Sequence, residues 1–69
     1  MQKFELEEHD FVELCNLLKL TGITGSGGMA KMLIADGQVK VDGEIELRKR
    51  CKIRSGQHVA CMNETIEVI

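Results

Sequence analysis

Ala30-Lys31-Met32-Leu33-Ile34-Ala35-Asp36-Gly37-Gln38-Val39-Lys40-Val41-Asp42-Gly43-Glu44-Ile45-Glu46-Leu47 changes its hydrophobic period halfway along, and that change decides the fold. Ala30, Leu33, Ile34 and Gly37 recur at helical spacing and share one face. From Val39 onward apolar and polar residues alternate. Val39 and Val41 precede an Asp42-Gly43 turn and Ile45 and Leu47 follow it, the pattern of a β-hairpin. Two registers compete for it. A two-residue turn pairs Val41 with Glu44, whereas pairing Val41 with Ile45 and Val39 with Leu47 needs an odd loop but gathers four apolar residues on one face. The second is the expected register, and it sets Lys40 opposite Glu46 on the outer face.

Upstream, Thr24-Gly25-Ser26-Gly27-Gly28 breaks all periodicity, and Ser26 stands where the second helix needs an N-cap. Before it, Phe11, Leu14, Cys15 and Leu18 repeat at helical spacing, with Asp10 and Glu13 spaced as a capping box and Gly22 as a stop. Phe4 and Leu6 alternate with Lys3, Glu5 and Glu7, a short half-buried strand. Downstream of the hairpin lie Arg48, Lys49, Arg50, Cys51, Lys52, Ile53 and Arg54. If extended, this stretch points Arg48, Arg50, Lys52 and Arg54 outward as a cationic ridge and turns Leu47, Lys49, Cys51 and Ile53 inward. A helix would scatter the charges and split Cys51 from Ile53, so the extended form is expected. Ser55-Gly56 then turns the chain. Val59 and Cys61, and Ile66 and Val68, mark a closing hairpin around Met62-Asn63-Glu64. The expected fold is α+β, with two helices on a small, mainly antiparallel sheet, residues 1–69 forming one domain.

The chain has 69 residues, of which 43% are hydrophobic and 29% charged, an ordinary globular composition. A domain this small buries only about 60% of the surface its unfolded chain exposes, so its core is lean. Three cysteines, Cys15, Cys51 and Cys61, form no C-x-x-C pair. An odd number of unclustered thiols fits a reducing, cytoplasmic setting. No apolar run approaches the ~20 residues a membrane helix needs, and no membrane partner is expected. The net charge is −2, yet it is unevenly spread. Glu5, Glu7, Glu8, Asp10 and Glu13 face Lys3 alone in the first thirteen residues, and the cations cluster at Arg48–Arg54.

Taken together, Leu18, Gly22, Ser26, Ala30, Leu33-Ile34, Gly37, Val39-Lys40-Val41-Asp42-Gly43, Lys52-Ile53 and Gly56 resemble the S4 RNA-binding domain, over roughly residues 11–59. The passage from Ala30 to Gly43 carries most of the resemblance; Asp42 stands where the family pattern has asparagine. The resemblance implies an S4-like, αL-motif fold in a small stand-alone form as found in bacteria. It also implies binding of structured RNA, often ribosomal, with no catalysis and no cofactor. Basic residues common in the family are replaced by Glu13, Asn16 and Gly27 here. The candidate RNA contacts are therefore Ser26, Gly27, Lys31 and Lys40 together with Arg48, Lys49, Arg50, Lys52 and Arg54.

Arginine and lysine neutralise phosphates and release counterions, and a glycine-rich helix start offers backbone N–H groups to an anion. With Phe4 and Phe11 as the only aromatics, both on apolar faces, there is no platform for unstacked bases. Blander readings stand beside these: the glycines as a plain turn, the charge run as a solvated face, Lys49 as a side chain snorkelling over apolar surface. Other functions have weaker support. Cys51 between Arg50 and Lys52 would be a nucleophile only if its thiol were exposed and its pKa lowered, and alternation turns it inward. His58 and Cys61 lie on opposite faces of a strand, which spoils a metal site. A protein-interaction adaptor using the acidic first segment or an exposed sheet edge is the principal alternative to RNA binding. The chain is expected to act as a monomer.

Overall fold

Helix α2 spans Gly27–Ala35, and its two ends are closed as the sequence predicts. The Ser26 hydroxyl accepts a hydrogen bond from the Met29 N–H at 3.1 Å, and Gly37 leaves the helix at φ 77°. Gly37 N–H donates to the Ile34 carbonyl and Gln38 N–H to that of Leu33, a Schellman stop that needs the left-handed residue only glycine supplies cheaply. These structural facts come from a computed structural model describing Met1–Ile69.

The hairpin that follows takes the register not expected. Strand β3 (Val39–Val41) pairs with β4 (Glu44–Ile45) as Val41 to Glu44 and Lys40 to Ile45. Asp42 at φ 52° and Gly43 at φ 85° form a two-residue turn with both centres left-handed, which Asp-Gly tolerates best. The odd-loop register rested on burying Ile45 and Leu47, but these stay 59% and 58% exposed. Val39 finds its burial from the other side, where β3 pairs with β6 (His58–Cys61) and Val39 meets Cys61. Lys40 consequently faces Ile45 and Ala60, not Glu46. Asp42 also ties the turn to β6, accepting from the His58 N–H at 2.9 Å.

Strand β7 (Glu64–Val68) returns from β6 through Met62 and Asn63, both at positive φ, and β1 (Gln2–Phe4) joins β7 in parallel. The five strands run in the order β1, β7, β6, β3, β4, with β1 to β7 the one parallel pair. The first strand thus ends sooner than its alternation suggested, although Leu6 beyond it is buried as expected.

Helix α1 (Leu14–Leu20) departs most from expectation. Asp10 and Glu13 form no capping box: Glu13 is the N-cap residue but its side chain caps nothing, and Val12–Glu13 is a short strand β2 paired with β5 (Lys52–Ile53). The orphan N–H groups of Leu14 and Cys15 are taken instead by the carbonyls of Cys51, at 2.9 Å, and Lys49, at 3.1 Å. Backbone from across the fold does what the local side chain does not. Phe11 therefore precedes the helix, and the buried stripe is Leu14, Cys15, Leu17 and Leu18, packed on Ala30 and Ile34 of α2 and on Val39, Ile53, Val59, Ile66 and Val68 beneath. The whole is α+β with two helices on a mainly antiparallel sheet, as the pattern predicted.

Candidate nucleic-acid interface

Carbonyl capping of α1 also shapes the cationic stretch. To offer the Lys49 and Cys51 carbonyls to the helix, the chain must bend, and Cys51 N–H donates to the Arg48 carbonyl at 3.2 Å, closing a turn over Arg48–Cys51. Only Lys52–Ile53 is strand. The continuous ridge expected from alternation is thus two pieces, a turn and a short strand. Arg48, Arg50, Lys52 and Arg54 are exposed and Ile53 is fully buried, as expected, but Lys49 is exposed at the turn and not inward.

Glu46 holds the near end of the turn. Its carboxylate accepts three hydrogen bonds from Arg48: from the backbone N–H at 2.9 Å, from Nε at 2.9 Å and from Nη2 at 3.0 Å. The Arg48 side-chain hydrogen bonds, with the backbone bond next, pull the Glu46 carboxyl down to about 2, so it is ionised at any physiological pH. Arg48 Nη2 also lies 3.6 Å from Cys51 Sγ. Burial, reinforced by the nearby Glu46 charge, pushes the Cys51 thiol up. A thiolate nucleophile needs the opposite shift.

The far end is held differently. Ile53 points into the core, so Lys52 and Arg54 leave the chain on the same side, and both lie over the Phe11 ring, Nζ at 4.9 Å and the guanidinium carbon at 5.6 Å from its centroid. Each such contact at an exposed site is worth about 0.5–1 kcal/mol. Arg48, Arg50, Cys51 and Lys52 line a shallow concavity. Arg48 has a carboxylate partner at 2.9 Å, whereas Lys49, Arg50, Lys52 and Arg54 have none within 4.0 Å.

The remaining candidates lie apart from that concavity. Ser26 and Gly27 open α2, and a Cβ at Gly27 would meet nothing within 4 Å, so the approach to this helix start is clear. Lys31 is exposed on α2 and Lys40 on β3. Glu13 and Asn16 contact each other, Asn16 Nδ2 donating to Glu13 Oε1 at 3.5 Å. Two participants have roles other than their patterns suggest: Glu46, expected opposite Lys40 on the outer face, binds Arg48, and Phe11, expected in the apolar stripe of the first helix, lies under Lys52 and Arg54. His58 is exposed and Cys61 buried; no group of three or more His, Cys, Asp or Glu side chains is placed to hold a metal. No helix is long and apolar enough to cross a membrane.

Two packed helices, a Schellman stop running straight into a tight hairpin, and a cationic turn that caps the first helix define a small α+β domain of αL-motif type. The chain belongs to the S4 domain family, whose pattern matches residues 4–69. That is not an enzyme family. YbcJ of Escherichia coli K12 is 54% identical over 69 residues, covering 100% of this chain and 99% of its own, and YbcJ of Shigella flexneri matches to the same extent. The solution structure of the E. coli protein has a TM-score of 0.78 to this chain and covers all of it and 87% of its own length. It is described as revealing an αL motif involved in RNA binding.

Proposed function

We propose that this chain binds RNA, and specifically folded RNA such as ribosomal RNA, through the phosphate backbone. The observation that carries the reading is the set of four exposed cations without a carboxylate partner, Lys49 and Arg50 on a fastened turn and Lys52 and Arg54 over Phe11. Membership of the S4 family and the RNA-binding description of the E. coli relative support it. Ser26, Gly27, Lys31 and Lys40 are the proposed secondary contacts, the helix start meeting phosphate through backbone N–H groups. Both phenyl rings are engaged, Phe4 against the core and Phe11 under cations, which favours shape and backbone recognition over stacking on single strands. The proposed setting is the cytoplasm, where the three free thiols persist, and the proposed form is a monomer.

The test is a mobility-shift titration with a structured RNA, comparing the wild type with an Arg50→Ala, Lys52→Ala, Arg54→Ala triple. The wild type should lose affinity with salt at a log–log slope on the order of −3, and the triple should bind at least tenfold more weakly with a shallower slope. Equal binding by the triple would overturn the reading.

A second reading, the protein adaptor, has one observation behind it. Phe4, Leu6, Phe11, Val12 and Leu20 line a concavity rimmed by Glu5, Glu7 and Glu13, and none of these carboxylates has a cationic partner within 4.0 Å. A basic, apolar peptide is the matching occupant. Co-purification that survives ribonuclease and is lost in Glu7→Lys, Leu20→Ser protein would favour it.

A further inference from the structure

We propose that Glu46 is a positioning residue for RNA, an acidic side chain beside the phosphate-binding surface that binding requires. The inference rests on the RNA reading above and assigns opposite roles to two residues that charge alone would sort the other way. By charge, Glu46 opposes binding and Arg48 promotes it. By geometry, Arg48 is occupied and Glu46 occupies it.

The Glu46 backbone is fixed first, its N–H donating to the Val39 carbonyl at 3.0 Å at the start of β3. Both carboxylate oxygens are then used by one residue: Oε2 takes the Arg48 N–H and Nε, and Oε1 takes Nη2. Binding backbone and guanidinium together fixes the peptide unit that opens the turn as well as the side chain. The Arg48 carbonyl accepts from Cys51, and the Cys51 and Lys49 carbonyls cap Leu14 and Cys15. A continuous line of hydrogen bonds thus runs from β3 through Glu46 and Arg48 to the start of α1. Lys49 and Arg50 are carried on it at the tip, so the backbone that presents them is ordered before RNA binds. Arg48 turns the Nε and Nη2 edge of its guanidinium to Glu46, so that edge is closed to a phosphate while the clamp holds and only the Nη1 side is left to meet one.

The two accounts differ in sign. Glu46→Gln removes a negative charge from the neighbourhood of the phosphates, so electrostatics alone gives tighter binding. Loss of positioning gives weaker binding. Arg48→Lys keeps the charge and loses the fork, so a point-charge attraction to phosphate would survive it and the two-pronged clamp on Glu46 would not.

The experiment measures binding of one synthetic RNA stem-loop to the full chain in wild type, Glu46→Gln, Arg48→Lys, the double variant, Arg50→Ala, and Glu64→Gln on the remote β6–β7 hairpin. Amide exchange at Cys51, Leu14 and Cys15 is followed in parallel. Glu46→Gln and Arg48→Lys should each weaken binding about fivefold and speed exchange at Cys51, the double should be no worse than either single, and Glu64→Gln should match the wild type. The shared loss in the double identifies one clamp and not two contacts. Glu46→Gln binding as tightly as wild type or more tightly, with Arg50→Ala weakened, would overturn the clamp and leave the RNA reading standing. No effect of Arg50→Ala would overturn the RNA contact surface itself, and the clamp with it.

Discussion

The two helices begin in opposite ways. Helix α2 is closed by its own chain, Ser26 Oγ to Met29 N–H three residues on, and needs nothing from the rest of the molecule to start. Helix α1 is closed by carbonyls of Lys49 and Cys51, more than thirty residues away. A helix capped from a distance cannot form without ordering its cap, so α1 and the cationic turn rise and fall together, whereas α2 does not involve the turn. The proposed RNA surface is thereby held by the core. Experiments that disturb one helix start and watch the other will show whether this coupling is real.

The largest effect is expected at Leu14, the first residue of α1 and fully buried. Leu14→Ala should cost about 3 kcal/mol through lost burial and the cavity left behind. For a domain whose total stability is of the order of 0.1 kcal/mol per residue, that is a large share. Urea unfolding should show it, and native-state amide exchange should show Cys51 opening along with Leu14. Protection at Cys51 unchanged while Leu14 frays would break the coupling.

Ser26→Ala is the matching change at the other helix. It should cost about 1 kcal/mol, the usual value of an N-cap. In a domain this size the melting temperature should fall by roughly 4–8 °C. Exchange at Cys15 and Cys51 should stay at the global rate, because nothing in the α2 cap touches the turn.

The contrast also explains what the sequence disclosed. Ser26 and Gly37 act on neighbours within a few residues, so α2 and its stop can be read along the chain. The start of α1 cannot, because Asp10 and Glu13 have the spacing of a capping box while the actual partners arrive from Lys49 and Cys51. The same long-range bonds bend the basic stretch into a turn and bring Lys49 outward. The hairpin register differs from the expected one for a related reason: the odd loop depends on burying Ile45 and Leu47, but Val39 finds its partner in Cys61 of β6. The cationic residues themselves were visible as composition; the clamps that hold them, Glu46 and Phe11, depend on geometry.

Acid should loosen the turn before it touches α2. Glu46 in the fold titrates near 2, below its ordinary value of 4.5, chiefly because of the Arg48 side-chain hydrogen bonds. A depressed carboxyl contributes stability that is fully present above 4.5 and lost as pH falls through about 2. Arg48 is 77% exposed, so solvent screening keeps the contribution small. Denaturant unfolding between neutral pH and pH 2 in the wild type and Glu46→Gln should show the variant losing less stability on acidification. Parallel curves would mean that the clamp adds nothing to stability.

The smallest effect separates the two halves of the cationic surface. Lys49 and Arg50 sit on a turn tied at both ends by backbone hydrogen bonds, their side chains without a carboxylate partner, while Lys52 and Arg54 leave a short paired strand and rest their side chains on one aromatic ring through contacts that leave both charges in water. Phe11→Leu keeps an apolar side chain there and removes the ring's negative face. At about 0.5 kcal/mol of lost cation–π attraction, RNA affinity should fall only about twofold. The freed cations can still reach a phosphate, so the salt slope should not change. A loss as large as that of Arg50→Ala would mean that the ring, and not the paired strand alone, presents Lys52 and Arg54 to the RNA.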